Sequence, residues 1–310
     1  MYRSGPPLAR PTGAPSDPLR ISKVYRRVYD EPSATARDPR LAEFLTDMLT
    51  PYQVQFRPDL LAEGTGHSFG EMGEPLIAEM ASEHDPVDLL VLAFAMHDLR
   101  PGQATSTYLS HLCPGNPLAF SVCDQGDAGG FTALRLIQTY TRTGDFAHSL
   151  LLVMEQTALY YEPDRPAARP QRHAAVAIRF DAGGQGQLAP VRQQSAVPAD
   201  QVADRLRAEL AALTAGRDDV TLIAGEGLAS QLTSRSDQVD ELVLAPAGQP
   251  ATGTWWALAG DLDRWAGQQR LVLVADYEPT LGYLSICAVD FAEQPAAAEP
   301  VGAGRRSAAR

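Results

Sequence analysis

Several common chemistries are excluded by what this 310-residue chain does not carry. It has three cysteines, Cys113, Cys123 and Cys287, an odd and widely spaced set with no C-x-x-C pair. Neither a disulfide framework nor a zinc site is expected from such a set, and no metal is expected. The formal net charge of −12 argues against a nucleic-acid partner, because neutralising phosphates takes clustered Lys and Arg. No stretch approaches the roughly 18 apolar residues of a membrane helix. The opening MYRSGPPLARPTGAPSDP has no apolar h-region of a secretory signal. These absences predict a cytoplasmic protein without a membrane segment. With 45% hydrophobic and 21% charged residues, the composition is that of an ordinary globular chain, long enough to bury a large core.

Residues 1–18 are rich in Pro, Gly and Ser, and residues 293–310 show no apolar period, so both ends are expected to be disordered. The segment EPDRPAARPQRH, from Glu162 to His173, reads as a surface loop between two strands. Apolar runs predict buried strands at 87–94, 116–122, 149–156, 174–181, 220–224, 241–245 and 270–276, with a period-two strand at 283–291. Helical patterns fall at about 36–50, 70–83, 103–113, 127–143, 198–214 and 252–267. Such alternation predicts an α/β protein with a mostly parallel sheet. One order of elements occurs twice. Residues 116–181 run strand, tight turn, helix, strand, loop, strand, and residues 240–291 run the same way, which points to a layered, pseudo-symmetric domain.

Cys123 stands between a predicted strand and a helix expected to begin near Asp127. A strand–turn–helix elbow exposes a nucleophile at the carboxyl edge of a sheet. The free N–H groups and positive end of the helix would stabilise a thiolate and could hold the oxyanion of a thioester under attack. Gly126, Gly129 and Gly130 would leave room there for an acyl chain. The local pattern is equally that of a small buried hydrophobe at a strand end. Asp124 and Asp127 weigh against activation, since nearby negative charge raises a thiol pKa. Either carboxylate could instead cap the helix.

The stretch DPVDLLVLAFAMHDLRPGQATSTYLSHLCPGNPLAFSVCDQGDAGGFTALRLIQTYTRTGDFAHSLLLVMEQ (85–156) resembles the nucleophile half of the thiolase superfamily, in its ketoacyl synthase III-like branch. GQPATGTWWALAGDLDRWAGQQRLVLVADYEPTLGYLSI (248–286) is similar to the C-terminal block of that family. The resemblance implies a thiolase-like five-layered αβαβα fold of two pseudo-symmetric halves, placed at residues 19–182 and 183–292, and a dimer. It also implies Cys123 as acyl acceptor and a histidine with a second His or Asn in the C-terminal half.

Here the chain departs from the pattern, because no histidine follows His173. The strand VTLIA is followed by Gly225-Glu226-Gly227 where the family carries its histidine, and Gly248-Gln249-Pro250 replaces the family's Gly-Asn. Gly282 alone remains of a Gly-rich oxyanion loop. Groups that stabilise an enolate during decarboxylative condensation are therefore missing. Acyl transfer needs less: a nucleophile, an oxyanion site and a base.

The candidate catalytic residues are Cys123, His97 oriented by Asp98, Glu226 as base, and Gln249 as an amide donor. Gly126, Gly248 and Gly282 are candidate substrate-binding positions. His111 and Cys113 read as packing, and of Trp255 and Trp256 at least one reads as core. Arg26, Arg27, Arg100, Arg135 and Arg142 read as solvated surface or as contacts to a coenzyme A or carrier-protein phosphate.

The expected function is an acyltransferase of specialised, polyketide- or peptide-type metabolism, with an acyl-CoA or acyl-carrier-protein thioester as substrate and no permanently bound cofactor. The alternatives are a silent subunit of a heterodimer with an active homologue, and a carbon–carbon condensing enzyme with a substituted base. The expected partners are a carrier protein and a second subunit, either identical or homologous.

Overall fold

A computed structural model describes residues 18–63, 66–144, 146–162, 169–232 and 238–292. The expected disordered ends lie outside these residues, apart from Pro18, as does the centre of the 162–173 loop. The N-terminal half contains β1 (Arg20–Val28), α1 (Pro39–Leu49), α2 (Pro58–Glu63), α3 (Phe69–Met80), β2 (Leu89–Ala93) and α4 (Thr105–Leu112). It continues with β3 (Leu118–Val122), α5 (Gly129–Thr143), β4 (Ser149–Glu155) and β5 (Ala174–Asp181). The C-terminal half contains β6 (Gly186–Leu188), β7 (Arg192–Gln194), α6 (Val202–Leu213), β8 (Val220–Ala224) and α7 (Glu226–Ala229). It closes with β9 (Glu241–Leu244), α8 (Gly253–Gly267), β10 (Leu271–Glu278) and β11 (Tyr283–Asp290).

The strand order, β3-β2-β4-β5-β1-β6-β11-β10-β8-β9, repeats one pattern on either side of its centre. In each half three strands run parallel, β3-β2-β4 and β9-β8-β10, because helices carry the chain back between them. The next strand returns antiparallel, β5 against β4 and β11 against β10. The sheet is accordingly mixed, not mostly parallel as the sequence suggested. β1 pairs with β6 through Arg20↔Gln187 and Ile21↔Gly186, so short ladders join the two halves into one hydrogen-bonded path.

The layers follow from which side chains are apolar. α5 and α8 lie between the two half-sheets. Phe131, Leu134 and Ile137 of α5 and Trp255, Leu258, Leu262 and Trp265 of α8 share one core with Val91, Val153, Val176, Val272 and Val274. α3 and α4 cover the outer face of the first half-sheet through Met72, Leu76 and Leu109 on Leu90, Leu92 and Leu152. α6 covers the outer face of the second through Leu206 and Leu210 with Leu222, Leu273 and Ile286. Each fully buried Leu, Ile or Phe contributes about 1.5–3 kcal/mol by leaving water, so the strands that face helices on both sides read as near-continuous apolar runs. The five-layered αβαβα arrangement of two similar halves is therefore present. β3 and β9 end the path, and Leu118, Leu242 and Leu244 on these edges are exposed.

Candidate active site

The carboxyl ends of the parallel strands in both halves converge where the entering turns of α5 and α8 face each other, and this convergence collects five carboxylates. Asp127 lies in a short 3-10 turn, Gly126–Ala128, ahead of α5. Glu155 ends β4, Asp276 and Glu278 lie in the last three residues of β10, and Glu226 opens α7.

Two of the five are held firmly. Glu155 is buried and accepts hydrogen bonds from the Ala251 amide at 2.9 Å, from the Thr252 amide at 3.4 Å and from the Thr252 hydroxyl. A strand of the first half thereby caps the helix of the second. Asp276, also buried, accepts from the Tyr277 amide at 2.8 Å and the Leu228 amide at 3.3 Å. A Cβ on Gly225 would stand 2.0 Å from the Asp276 carboxyl carbon, so only glycine fits there. Burial pushes both carboxyls up to about 8, with Asp127 adding to each.

Glu278 reaches the other way. Its carboxylate accepts from the Leu281 amide, and a Cβ on Gly126 would lie 2.7 Å from its Cγ. Asp127 differs from its neighbours, because no described residue donates a hydrogen bond to its carboxylate. Burial, then Glu278, then Glu226, push its pKa up to about 7.

The sequence-derived candidates divide around this centre. Glu226 accepts from the Gly248 amide at 3.0 Å, which joins two of them directly. Gln249 is buried and donates to the Thr252 hydroxyl at 3.2 Å, so its amide belongs to the Glu155 cap. Gly126 touches Glu278, as described. Gly282, at φ +67°, sits in the β10–β11 turn against the Val197 backbone, and its carbonyl accepts from the Val197 amide.

Two residues separate Cys123 from the 3-10 turn Gly126–Ala128, which runs directly into α5, and five separate it from α5 itself, so Asp127 rather than the thiol occupies the helix entrance. The residue is exposed and desolvation acts on it only in part, yet desolvation and then Asp124 hold its pKa above the ordinary thiol value. That direction is opposite to the thiolate stabilisation expected from the elbow. Asp98 does not orient His97. Its carboxylate is used by the amides of Phe69 and Arg100 at 3.1 Å and by the Thr105 hydroxyl, which pins the start of α3. His97 is exposed, with its ring 6.4 Å from that of Tyr161.

Asp127, Glu155, Asp276 and Glu278 were not expected from the sequence. For Glu155, Asp276 and Glu278 the available signal was a charge inside or at the end of a buried apolar strand, as in LLLVMEQ and LVLVADYE.

Trp255 and Trp265 are buried and Trp256 is partly buried beneath the Arg26 guanidinium, 4.9 Å away. Among the described residues no His/Cys/Asp/Glu group is arranged to hold a metal ion. No described helix is long and apolar enough to cross a membrane. A cavity of about 560 Å³ beside His148 and Phe146 opens at the amino end of β4, away from the carboxylates.

The chain has the thiolase-like fold of the ketoacyl synthase III type. It superposes on the tetronic acid condensing enzyme AbyA1 with a TM-score of 0.62 at 15% identity, covering 88% of this chain and 99% of that one. The acyltransferase ChlB3 gives 0.57 at 15% identity, over 89% and 98%. The 3-oxoacyl-(acyl carrier protein) synthase III of Pseudomonas aeruginosa gives 0.53 at 14%, over 89% and 99%. No protein-family model and no curated protein sequence matches the chain.

Proposed function

We propose that this protein transfers an acyl group from a thioester to a nucleophilic acceptor, with Asp127 as general base. The observation that carries the reading is the Asp127 carboxyl itself. It is unpartnered among the described residues, sits at the meeting point of two helix mouths, and its pKa of about 7 suits a base near neutrality. The acceptor X–H attacks the thioester carbonyl while Asp127 takes its proton. The carbonyl electron pair moves to oxygen and returns as the C–S bond breaks, and Asp127 passes the proton to the leaving sulfur. The similar structures, an acyltransferase, a condensing enzyme and an oxoacyl synthase, support a reading as acyl handling. The donor is an acyl-CoA or acyl-carrier-protein thioester, and the unpaired edges β3 and β9 suit a dimer.

Turnover of a panel of acyl thioesters with amine, alcohol and thiol acceptors tests this, read beside intact-protein mass. Asp127→Asn is expected to abolish transfer, while Cys123→Ala keeps it and the wild type gains no acyl mass. A stable adduct on Cys123 together with an inactive Cys123→Ala would replace Asp127 by a loaded thiol.

The raised thiol of Cys123 and the missing C-terminal histidine favour a second reading, a silent subunit that completes a homologous partner. Co-purification with such a partner and no turnover alone would select it.

A further inference from the structure

Only one edge of β1 is fully used. Along its length the strand pairs with β5, whereas β6 meets it only at Arg20 and Ile21. Over residues 22–28 the second edge has no strand beside it among the described residues. Alternate amides and carbonyls there face away from the sheet.

The side chains flanking this edge carry one sign. Lys23, Arg26 and Arg27 are exposed. Val24 packs in the core between the half-sheets and Tyr25 in the outer-face core, so Arg26 stands on the inner side of the edge and Lys23 and Arg27 on the outer side. Arg217 and Arg264 each meet two carboxylates, but the β1 cations are spent on neutral groups. Lys23 donates to the Glu79 carbonyl, and Arg27 lies over the Tyr29 ring, 5.2 Å from its centroid. Arg26 donates to the Trp256 carbonyl at 2.9 Å and stacks on the ring of the same residue at 4.9 Å. A Cβ on Gly260, inside α8, would stand 2.5 Å from its Nη1, so a glycine in the helix keeps this seat open. A guanidinium held in this way retains donors for an anion and has little freedom left to lose on binding one. Cations on an exposed edge commonly guard it against other strands. Here they are folded back onto groups of their own chain, which leaves the backbone edge open and its positive charge uncompensated. The same charge opposes pairing with a second β1.

We propose that the free edge of β1 takes up an extended acidic segment of a partner protein as an added strand. The backbone of that segment would pair with residues 22–28. Carboxylates on successive residues point to opposite faces of a strand, so one reaches Arg26 and the next reaches Arg27 or Lys23. This surface stands apart from the acyl-transfer reading.

Selection of random displayed peptides of about nine residues on the folded full chain tests the inference. The selected peptides are expected to carry adjacent Asp or Glu residues among β-branched ones. Calorimetry should show about tenfold weaker binding to the double variant Arg26→Gln, Arg27→Gln, and a comparable loss on raising salt from about 50 to 500 mM. Gly260→Ala keeps both charges and favours the helix, yet should weaken binding by displacing Arg26 from its seat. N-methylation of alternate peptide amides should abolish binding, because an added strand needs its backbone donors. Peptides without acidic enrichment, no selected peptide, or equal affinity for wild type and the double variant would overturn the inference. Binding that survives N-methylation at both alternations would also overturn it, since ion pairing alone would then suffice.

Discussion

Glu155 and Thr252 are 97 positions apart and belong to different halves of the molecule, yet the Glu155 carboxylate accepts from both the amide and the hydroxyl of Thr252. The same hydroxyl accepts from Gln249, so one buried chain of hydrogen bonds runs from the end of β4 into the start of α8. Glu155→Ala would strand the Ala251 amide and the Thr252 hydroxyl in the interior. It is expected to lower unfolding free energy by about 3 kcal/mol in urea titrations. Because the carboxyl is held up to about 8 and is mostly neutral at pH 7, Glu155→Gln should cost about 1 kcal/mol or less. Equal losses for the two variants would show that charge, not hydrogen bonding, is what the cap supplies.

Turnover should rise with pH through about 7, as Asp127 loses its proton and becomes competent as a base. Glu278→Gln removes a neighbouring charge that raises this pKa, so the rising limb should move to lower pH. A rate profile that is flat from about pH 6 to 8 would separate Asp127 from the proton transfer.

Stability should run the other way. Asp127, Glu155 and Asp276 are all raised, to about 7, 8 and 8, so each binds its proton more tightly in the folded chain than in the unfolded one. From the ordinary carboxyl range upward to about 8 the folded state holds the extra protons, and unfolding free energy falls as pH rises. The contribution is fully present below the unfolded pKa values and is lost as pH passes the folded ones. The urea midpoint should therefore be higher at about pH 5.5 than at about pH 8.5, and a Glu155→Gln protein should show a smaller difference.

Cys123 is exposed with a raised pKa, which predicts a reachable but sluggish thiol. Iodoacetamide should label it slowly at neutral pH and faster as pH climbs above the ordinary thiol range. Cys123→Ala should change stability by no more than about 0.5 kcal/mol. Rapid labelling at pH 7 would indicate a thiolate that the surroundings of Asp124 do not account for.

Much of the architecture could be read from the chain because buried strands announce themselves. All eight apolar runs became strands, with ends displaced by a few residues, and the six helical patterns became α1, α3, α4, α5, α6 and α8. β1 escaped because RISKVYRRV carries four basic residues and one side of it is half-exposed at the junction between halves. The short strands β6 and β7 have too few residues to show a period. Cys123 is the residue type associated with acyl chemistry, but the 3-10 turn Gly126–Ala128 places Asp127 at the entrance of α5. The carboxylate cluster was hidden for a different reason. Asp127, Glu155, Glu226 and the pair Asp276 and Glu278 come from four separate segments far apart in the chain, and only the folding of the two halves onto each other brings them together.

The packing of α5 against α8 has a consequence for how the chain is assembled. Phe131 on Trp255, and the hydrogen bonds from Glu155 to the start of α8, form what would be a subunit interface if the halves were separate proteins. Enclosed in one chain, that interface carries no concentration dependence, and neither half has a covered apolar face without the other. The two copies of the motif are therefore expected to melt together as one cooperative body, and a cut in the loop that joins them should yield fragments that must find each other before either is folded.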